Sequence, residues 1–162
     1  MTINYEVEFN NIVNDILKNE EFIELKYEAH HGMTRLDHSL SVAKKTFKMC
    51  KKYKIKSIKE TTRAALLHDF FKTSEIDGPM FLSHPKIAAI NAKRVFNINE
   101  MQKNIIESHM FPATDIMPKY KESFIVSLAD KMVAFKECTR YKVPLAAGTA
   151  LLFFFNFMFI HR

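Results

Sequence analysis

The chain has 162 residues, which is enough for one domain with a buried core, and its 48% hydrophobic and 26% charged content excludes a disordered chain. Only 3 glycines and 5 prolines are present, so there is little room for many short strands. The net charge of +6 suits an anionic partner, such as a phosphorylated metabolite, a nucleic acid or an acidic membrane surface, although a basic solvated surface would give the same balance.

The first half of the chain shows helical patterning with short breaks. Apolar residues at helical spacing predict a helix over residues 5–18 and a short second helix over 22–25, before Gly32. Thr34 is followed three residues later by an acid, which is a pattern typical of a capped helix start. The third helix should therefore begin after Thr34 and run to about Tyr53.

Similar helix-start and loop signals divide the next segment. Ser57 repeats the cap pattern and predicts a fourth helix that ends near His68. Residues 74–82 contain Asp-Gly-Pro and predict a loop. Ser83 is the expected cap of the following helix, with Pro85 tolerated in its first turn.

Two more helices complete the predicted bundle. One begins at Asn99 and runs to about Met110, and the last spans about 121–141 after a loop that contains two prolines. No internal repeat and no interior boundary is apparent. The sequence therefore predicts an all-α helical bundle over residues 1–142, followed by a separate segment over 143–162.

That C-terminal segment is hydrophobic. Residues 143–160 form 18 consecutive positions without a charge, preceded by Arg140 and Lys142. A hydrophobic C-terminal helix of this length nearly matches a hydrocarbon core, and the basic residues before it would keep the bundle on the cytoplasmic face of a membrane. The alternative is a terminal helix that packs on the bundle or in a homo-oligomer interface. Because the N-terminus lacks an apolar leader, we expect a cytoplasmic protein, with or without this attachment.

The histidines fall at the ends of the predicted helices. His38 lies in the first turn of its helix, and the dipeptide His68-Asp69 ends the next one. His84 begins the following helix, and His109 ends the one after it. If consecutive helices pack antiparallel, all of these residues meet at one end of the bundle. Imidazole and carboxylate groups together suit Fe, Mn or Zn better than Ca.

Asp130 is placed less directly by this reasoning. It lies about nine residues into the last helix, among apolar neighbours, and a carboxylate there would be costly to bury without a cation. This supports a ligand role below the rim of the bundle. The alternative is a shorter helix with Asp130 near solvent.

These residues resemble the H…HD…D signature of the HD-domain superfamily. His38, the His68-Asp69 pair within Ala-Leu-Leu-His-Asp-Phe-Phe-Lys, and Asp130 within Ser-Leu-Ala-Asp-Lys carry the likeness, which covers roughly residues 33–136. The ligand set with His84 and His109 is similar to that of the YqeK-like diadenosine tetraphosphate hydrolases. Ser-His-Pro-Lys and Glu-Ser-His-Met-Phe-Pro look more like a small bacterial HD family.

The resemblance implies a metal-dependent phosphohydrolase with an HD-domain helical bundle. It implies two divalent metals, Fe or Mn first and Mg, Co, Zn or Ni otherwise, and a metal-bound hydroxide as nucleophile. Asp69 would bridge the metals, and the remaining ligands would be His38, His68, His84, His109 and Asp130. The substrate would be a nucleotide or another small phosphoester.

Two basic side chains near the predicted ligands are candidates for substrate binding, and two alternative functions remain open. Lys72, one turn after His68, and Arg35, one turn before His38, are candidates for holding a substrate phosphate, although either is equally well explained as a solvated cation. The enzymatic alternative is symmetrical cleavage of dinucleoside polyphosphates such as diadenosine tetraphosphate, and the other is a non-catalytic sensor or scaffold that binds metal and nucleotide. The dispersed basic residues do not favour a nucleic-acid partner.

Overall fold

The structure, a computed structural model, describes residues 2–30 and 32–141. The helices within these ranges are α1 (Thr2–Leu17), α2 (Glu20–Ile23), α3 (Arg35–Lys52), α4 (Ile58–Leu67), α5 (Met80–Phe96), α6 (Glu100–Ser108) and α7 (Lys121–Tyr141). Two 3₁₀ turns occupy Glu24–Tyr27 and Thr73–Glu75, and a small antiparallel hairpin pairs β1 (Ala29–His30) with β2 (Met33–Thr34). The prediction of an all-α fold is confirmed, with this hairpin as an addition that the sequence did not indicate.

The core lies where α3 contacts both α4 and α7. Each helix contributes apolar side chains at helical spacing, and on α4 the side chains of Ala64, Ala65, Leu66 and Leu67 are all inaccessible to solvent. The α6 residues Ile105 and Ile106 close the core from the far side of α4. Because α4 is packed on several sides, its last residues and the His68-Asp69 pair are held firmly inside the bundle.

Two of the predicted helix starts form as expected. The Thr34 hydroxyl accepts a hydrogen bond from the Asp37 amide at 3.1 Å and donates to the Asp37 carboxylate at 2.7 Å. Asn99 and Gln102 form a reciprocal capping box, in which each side-chain oxygen accepts a bond from the other residue's amide. Both caps are local, which is why the sequence alone is enough to predict them.

Two details of the predicted helix starts are wrong. Ser57 stands at the start of α4, but its hydroxyl donates to Glu122 on α7 at 2.5 Å and caps nothing. The helix α5 begins at Met80, one turn before the expected start, so Ser83 is inside it and donates to the Pro79 carbonyl. Pro85 then lies in the second turn of the helix.

The hydrophobic C-terminal helix predicted over 143–162 lies outside the described residues, and so does the domain boundary after residue 142. Both stay predictions, as does the attachment to a membrane. Among the residues that the structure describes, no helix is long and apolar enough to span a bilayer. Cys50 is buried and Cys138 is half-buried, and both are free thiols.

Candidate metal centre

Four histidines from four helices converge at one end of the bundle. His38 lies in the first turn of α3, His68 and His109 directly follow α4 and α6, and His84 is in the second turn of α5. All four are at least nine-tenths buried. The ring centroids of His68 and His109 are 4.9 Å apart, and those of His84 and His109 are 5.0 Å apart. The antiparallel packing that the helix order predicts therefore does bring these side chains together.

Each histidine is oriented by a hydrogen bond from its Nδ1 atom. In His68 and His109, Nδ1 donates to the carbonyl three residues earlier, at 2.8 and 2.7 Å. The Nδ1 of His84 donates to the Met80 carbonyl at 2.7 Å, and that of His38 donates to the Glu137 carboxylate at 2.8 Å. A carbonyl or carboxylate oxygen can only accept, so Nδ1 carries a proton and each Nε2 faces the interior of the cluster.

Two carboxylates lie among the Nε2 atoms. The Oδ1 of Asp130 is 3.1 Å from His38 Nε2 and 3.6 Å from His68 Nε2. The Oδ1 of Asp69 is 3.4 Å from His84 Nε2 and 3.7 Å from His109 Nε2, while its Oδ2 is 3.7 Å from His68 Nε2. Asp69 thus stands between two groups of histidines, with one oxygen toward each.

Burial and charge shift the pKa values of this cluster strongly. Burial by itself would lower the pKa of His38, but hydrogen bonds with Asp130 and Glu137 raise it to about 10. Burial would raise the pKa of Asp130, but bonds from His38 and His68 hold it well below its usual range. The pKa of His109 is lowered to about 3 by burial and by its histidine neighbours. Without a cation, the site is therefore a mixture of protonated imidazole, neutral imidazole and carboxylate.

Two observations indicate that the residues fit divalent metal ions. The Oδ1 atom of Asp69 is fully buried and receives no hydrogen bond, which is costly for a carboxylate. The Nε2 atoms of His84 and His109 are 3.0 Å apart with both lone pairs inward. Two nitrogens bound at right angles to one ion, each at about 2.1 Å, would be about 3.0 Å apart. A mixed set of imidazole nitrogens and carboxylate oxygens suits Fe, Mn and Zn.

Within the described residues, three sets of side chains have potential ligand atoms within 4.8 Å of one another. These sets are His38 with His68 and Asp130, His68 with Asp69 and His109, and His30 with His38 and Asp69. The first two sets contain only residues that the sequence singles out, and His84 adjoins the second through His109. The three sets overlap, because His38, His68 and Asp69 each belong to two of them.

Three residues around the cluster are not among the six predicted ligands, and two of them, Glu137 and Lys131, were missed by sequence reasoning. Glu137 orients His38, and its position seven residues after Asp130, two turns along the same helical face, is a signal that could have found it. His30, on β1, stacks against His38 with ring centroids 4.2 Å apart. Lys131 is buried and donates to the His109 carbonyl at 3.1 Å, so α7 holds the end of α6 in place.

Arg35 is not placed for the expected grip on a substrate phosphate. Its side chain is 1% exposed, and its guanidinium stacks on the Phe71 ring at 3.8 Å. Nη1 donates to the Phe71 carbonyl at 2.8 Å and to the Glu28 carboxylate at 3.2 Å. Because burial and these partners already occupy the side chain, Arg35 is better placed to hold the loop after Asp69 than to contact a substrate.

Lys72 is at the surface, as expected for a cation that could meet a ligand. Its side chain is 45% exposed, and its ammonium forms an ion pair with Glu24. The hydrogen bond and charge of Glu24 raise the pKa of Lys72, so the side chain is charged at neutral pH. A substrate phosphate would therefore compete with Glu24 for this ammonium.

Comparison with known proteins gives a single family. The model of the HD domain matches residues 35–134, a range that runs from α3 through most of α7. All six predicted metal ligands lie within this range. No match was found among curated proteins, and none among solved structures. Because the match spans more than half of the chain, the protein belongs to the HD domain family.

Proposed function

We propose that the protein is a metal-dependent phosphohydrolase that acts on a nucleotide or another small phosphoester. Members of the HD domain family are generally metal-dependent hydrolases of phosphorylated substrates. The observation that carries the proposal for this chain is the buried, unsatisfied Oδ1 of Asp69 among inward-facing Nε2 atoms. In a polar cluster with a purely structural role, a hydrogen-bond donor would satisfy this oxygen, whereas in a metal site the oxygen is available to bind a cation.

The proposed ligands divide into two groups that share Asp69. His38, His68 and Asp130 form one group with one Asp69 oxygen, and His84 and His109 form the other with the second oxygen. Iron or manganese suits this set because both accept mixed nitrogen and oxygen donors. Divalent ions held there would polarise a phosphoryl group and lower the pKa of an attacking water.

The surrounding residues would keep the ligands in the reactive state. The carbonyls of Ala65, Met80 and Ile106 hold three rings in the Nδ1–H tautomer, and Glu137 does so for His38. Burial of the rings excludes bulk water from the inner side of the cluster. Lys72, at the surface beside this end of the bundle, would attract and neutralise a substrate phosphate.

The test combines metal analysis with a phosphoester panel. Protein purified without added metal is analysed for its elements and then assayed with nucleotides and simple phosphoesters in Mn, Fe, Co and Mg. The Asp69→Ala variant should lose both bound metal and turnover, while Asp115→Ala, which changes an exposed carboxylate in the loop between α6 and α7, should keep both. Full hydrolysis by metal-free Asp69→Ala protein would refute the proposal. Tight nucleotide binding without phosphate release in any metal would favour a sensor or scaffold.

A narrower proposal concerns the substrate. A set of six ligands is similar to that of the diadenosine tetraphosphate hydrolases, so symmetrical cleavage of dinucleoside polyphosphates is the finer candidate. It predicts that diadenosine tetraphosphate yields ADP as the only nucleotide product. Hydrolysis of other phosphoesters without any ADP from this substrate would leave the broader proposal intact and remove the narrower one.

A further inference from the structure

A basic groove lies between α3 and α7, outside the cluster of metal-ligand candidates. Its cavity volume is about 430 Å³. Five basic side chains line it, namely Lys44, Lys45 and Lys48 from α3 and Lys136 and Arg140 from α7. The groove also contains one carboxylate, Glu137, and a few uncharged side chains. We refer to it as the α3–α7 groove.

The basic residues of the groove follow from helical spacing. On α3, Lys48 is four residues after Lys44 and three after Lys45, and on α7, Arg140 is four residues after Lys136. Positions with this spacing share one face of a helix, so each helix turns a basic stripe toward the same cavity. Two like-charged stripes that face each other are mutually repulsive, and an anion between them would remove that cost.

The lysines of the groove also lack carboxylate partners. Lys44, Lys45, Lys48 and Lys136 form no ion pair with any residue that the structure describes. Lysines elsewhere on the surface do form such pairs, for example Lys51 with Glu8 at 2.5 Å. The single carboxylate of the groove, Glu137, is already engaged by His38. Within the described part of the chain, no ion pair therefore neutralises the charge of these four lysines.

The groove adjoins the proposed metal centre at two points. Glu137 lines the groove and accepts the hydrogen bond from His38 at 2.8 Å. Met33 also lines the groove, and it pairs across the hairpin with His30, whose ring stacks on His38. Along α3, Lys48 is ten residues beyond His38, which corresponds to about 15 Å of helix. The basic side chains of the groove thus extend along α3 away from the metal-ligand cluster.

We propose that the α3–α7 groove binds the phosphate chain of an extended substrate, such as a nucleoside polyphosphate, whose reacting phosphoryl group is at the metal centre. The assignment of the ligand as a substrate rests on the proposed hydrolase function. A volume of about 430 Å³ fits a small molecule of this kind, because ligand pockets usually measure about 300–1,000 Å³. A concave cavity of this size is too small for a nucleic-acid duplex and does not match a flat lipid surface.

The first measurement is direct binding, independent of catalysis. Inorganic tripolyphosphate is titrated by calorimetry into the full chain, in excess magnesium so that it does not remove bound metal. The triple variant Lys44→Gln, Lys48→Gln, Lys136→Gln should bind it about tenfold more weakly, because three exposed charges are removed. The matched control is Lys18→Gln, Lys56→Gln, Lys59→Gln, which changes three exposed lysines elsewhere and should bind as the wild type does.

The second measurement distinguishes a substrate subsite from another anion site. With a nucleoside polyphosphate, the groove variant should show about a tenfold higher KM, whereas KM for a short monophosphate ester should not change. Equal tripolyphosphate affinity in the wild type, the groove variant and the matched control would overturn the proposal that the groove binds phosphate, whether or not the protein hydrolyses anything. Weaker binding with an unchanged KM for the long substrate would overturn the substrate assignment. Displacement of tripolyphosphate by phosphatidylglycerol vesicles would overturn the small-molecule assignment.

The two proposals fail in distinguishable ways. If no phosphoester is hydrolysed by any of the proteins, the proposed function fails, and the groove then fails as a substrate subsite too. In that case the calorimetric difference between the groove variant and the matched control would still be measurable. If hydrolysis is found and that difference is absent, only the groove proposal fails.

Discussion

Metal binding at the cluster should release protons, and the number released tests the proposed ligand set. Hydrogen bonds with Asp130 and Glu137 raise the pKa of His38 to about 10 against the opposing effect of burial. At neutral pH the metal-free protein therefore carries a proton on His38 Nε2, the atom that would bind the ion. A metal ligand must be deprotonated, so an entering ion has to displace this proton.

The cost of that displacement follows from the pKa. A pH of 7 is about three units below the pKa of His38. Competition between the proton and the metal ion therefore weakens metal binding by about a thousandfold, or about 4 kcal/mol. Each displaced proton raises the affinity about tenfold per pH unit as the pH rises. The pKa of His68 is also raised, by Asp69 and Asp130 against the effect of burial, so a second proton is expected.

Calorimetry with Mn²⁺ between roughly pH 6 and pH 8, in buffers of different ionisation enthalpy, measures the protons released. We expect between about one and two per site, with an affinity that rises with pH. In the variant Glu137→Gln, His38 loses one of the carboxylates that hold its proton, so fewer protons should be released at the upper end of this range. The control Glu6→Gln changes an exposed carboxylate on α1 and should behave as the wild type does. No proton release in the wild type would refute this reasoning.

The same pKa shift predicts how the metal-free fold responds to pH. Because the pKa of His38 in the fold is above its ordinary value of 6.5, protonation of His38 stabilises the metal-free fold. This contribution is fully present below about pH 6.5 and is lost as the pH rises toward 10. Denaturant titrations of the metal-free protein should therefore give a lower free energy of unfolding at about pH 9 than at about pH 7.

Three further predictions concern other parts of the chain. Arg35→Ala should lower the free energy of unfolding by about 3 kcal/mol, because it leaves the Phe71 carbonyl without its donor, and Arg35→Lys should recover only part of this in urea titrations. Asn99→Ala should cost about 1 kcal/mol through loss of the α6 cap, and a change below a few tenths would contradict the capping box. If residues 143–160 form a membrane anchor, the full chain should sediment with membranes and a chain ending at residue 142 should not.

The helix ends were predictable because their chemistry is local. Thr34 and Asn99 cap their helices through residues only three positions away, so the pattern is visible in a short window of sequence. The histidines were predictable as a group for a related reason. Once the helices are placed, antiparallel connections fix which ends meet, and His38, His68 and His109 are at those ends.

The remaining features depend on contacts between residues far apart in the chain. The Ser57 hydroxyl bonds to Glu122, 65 positions away, although its local sequence is that of a cap. Arg35 is buried because the chain after Asp69 folds back and presents the Phe71 carbonyl 36 positions later. Glu137 has the sequence context of a solvated helical carboxylate and becomes a partner of His38 only when α3 packs on α7.

The hairpin was missed for a different reason. Strands of two residues carry no alternating pattern, so β1 and β2 leave no periodic signal in the sequence. Its effect is to place His30 against His38, beside the first turn of α3. Short strands of this kind can be recognised only after the helices around them are known.

His68 and His109 have a second consequence, for local unfolding. Each directly follows its helix, and its Nδ1–H bonds to a carbonyl in the last turn, one of the groups that a helix end leaves unpaired. The same ring that would bind an ion therefore also closes the end of α4 or α6. Fraying of either helix would release a ligand, so loading with metal should slow amide hydrogen exchange in those last turns and leave the far ends of both helices unchanged.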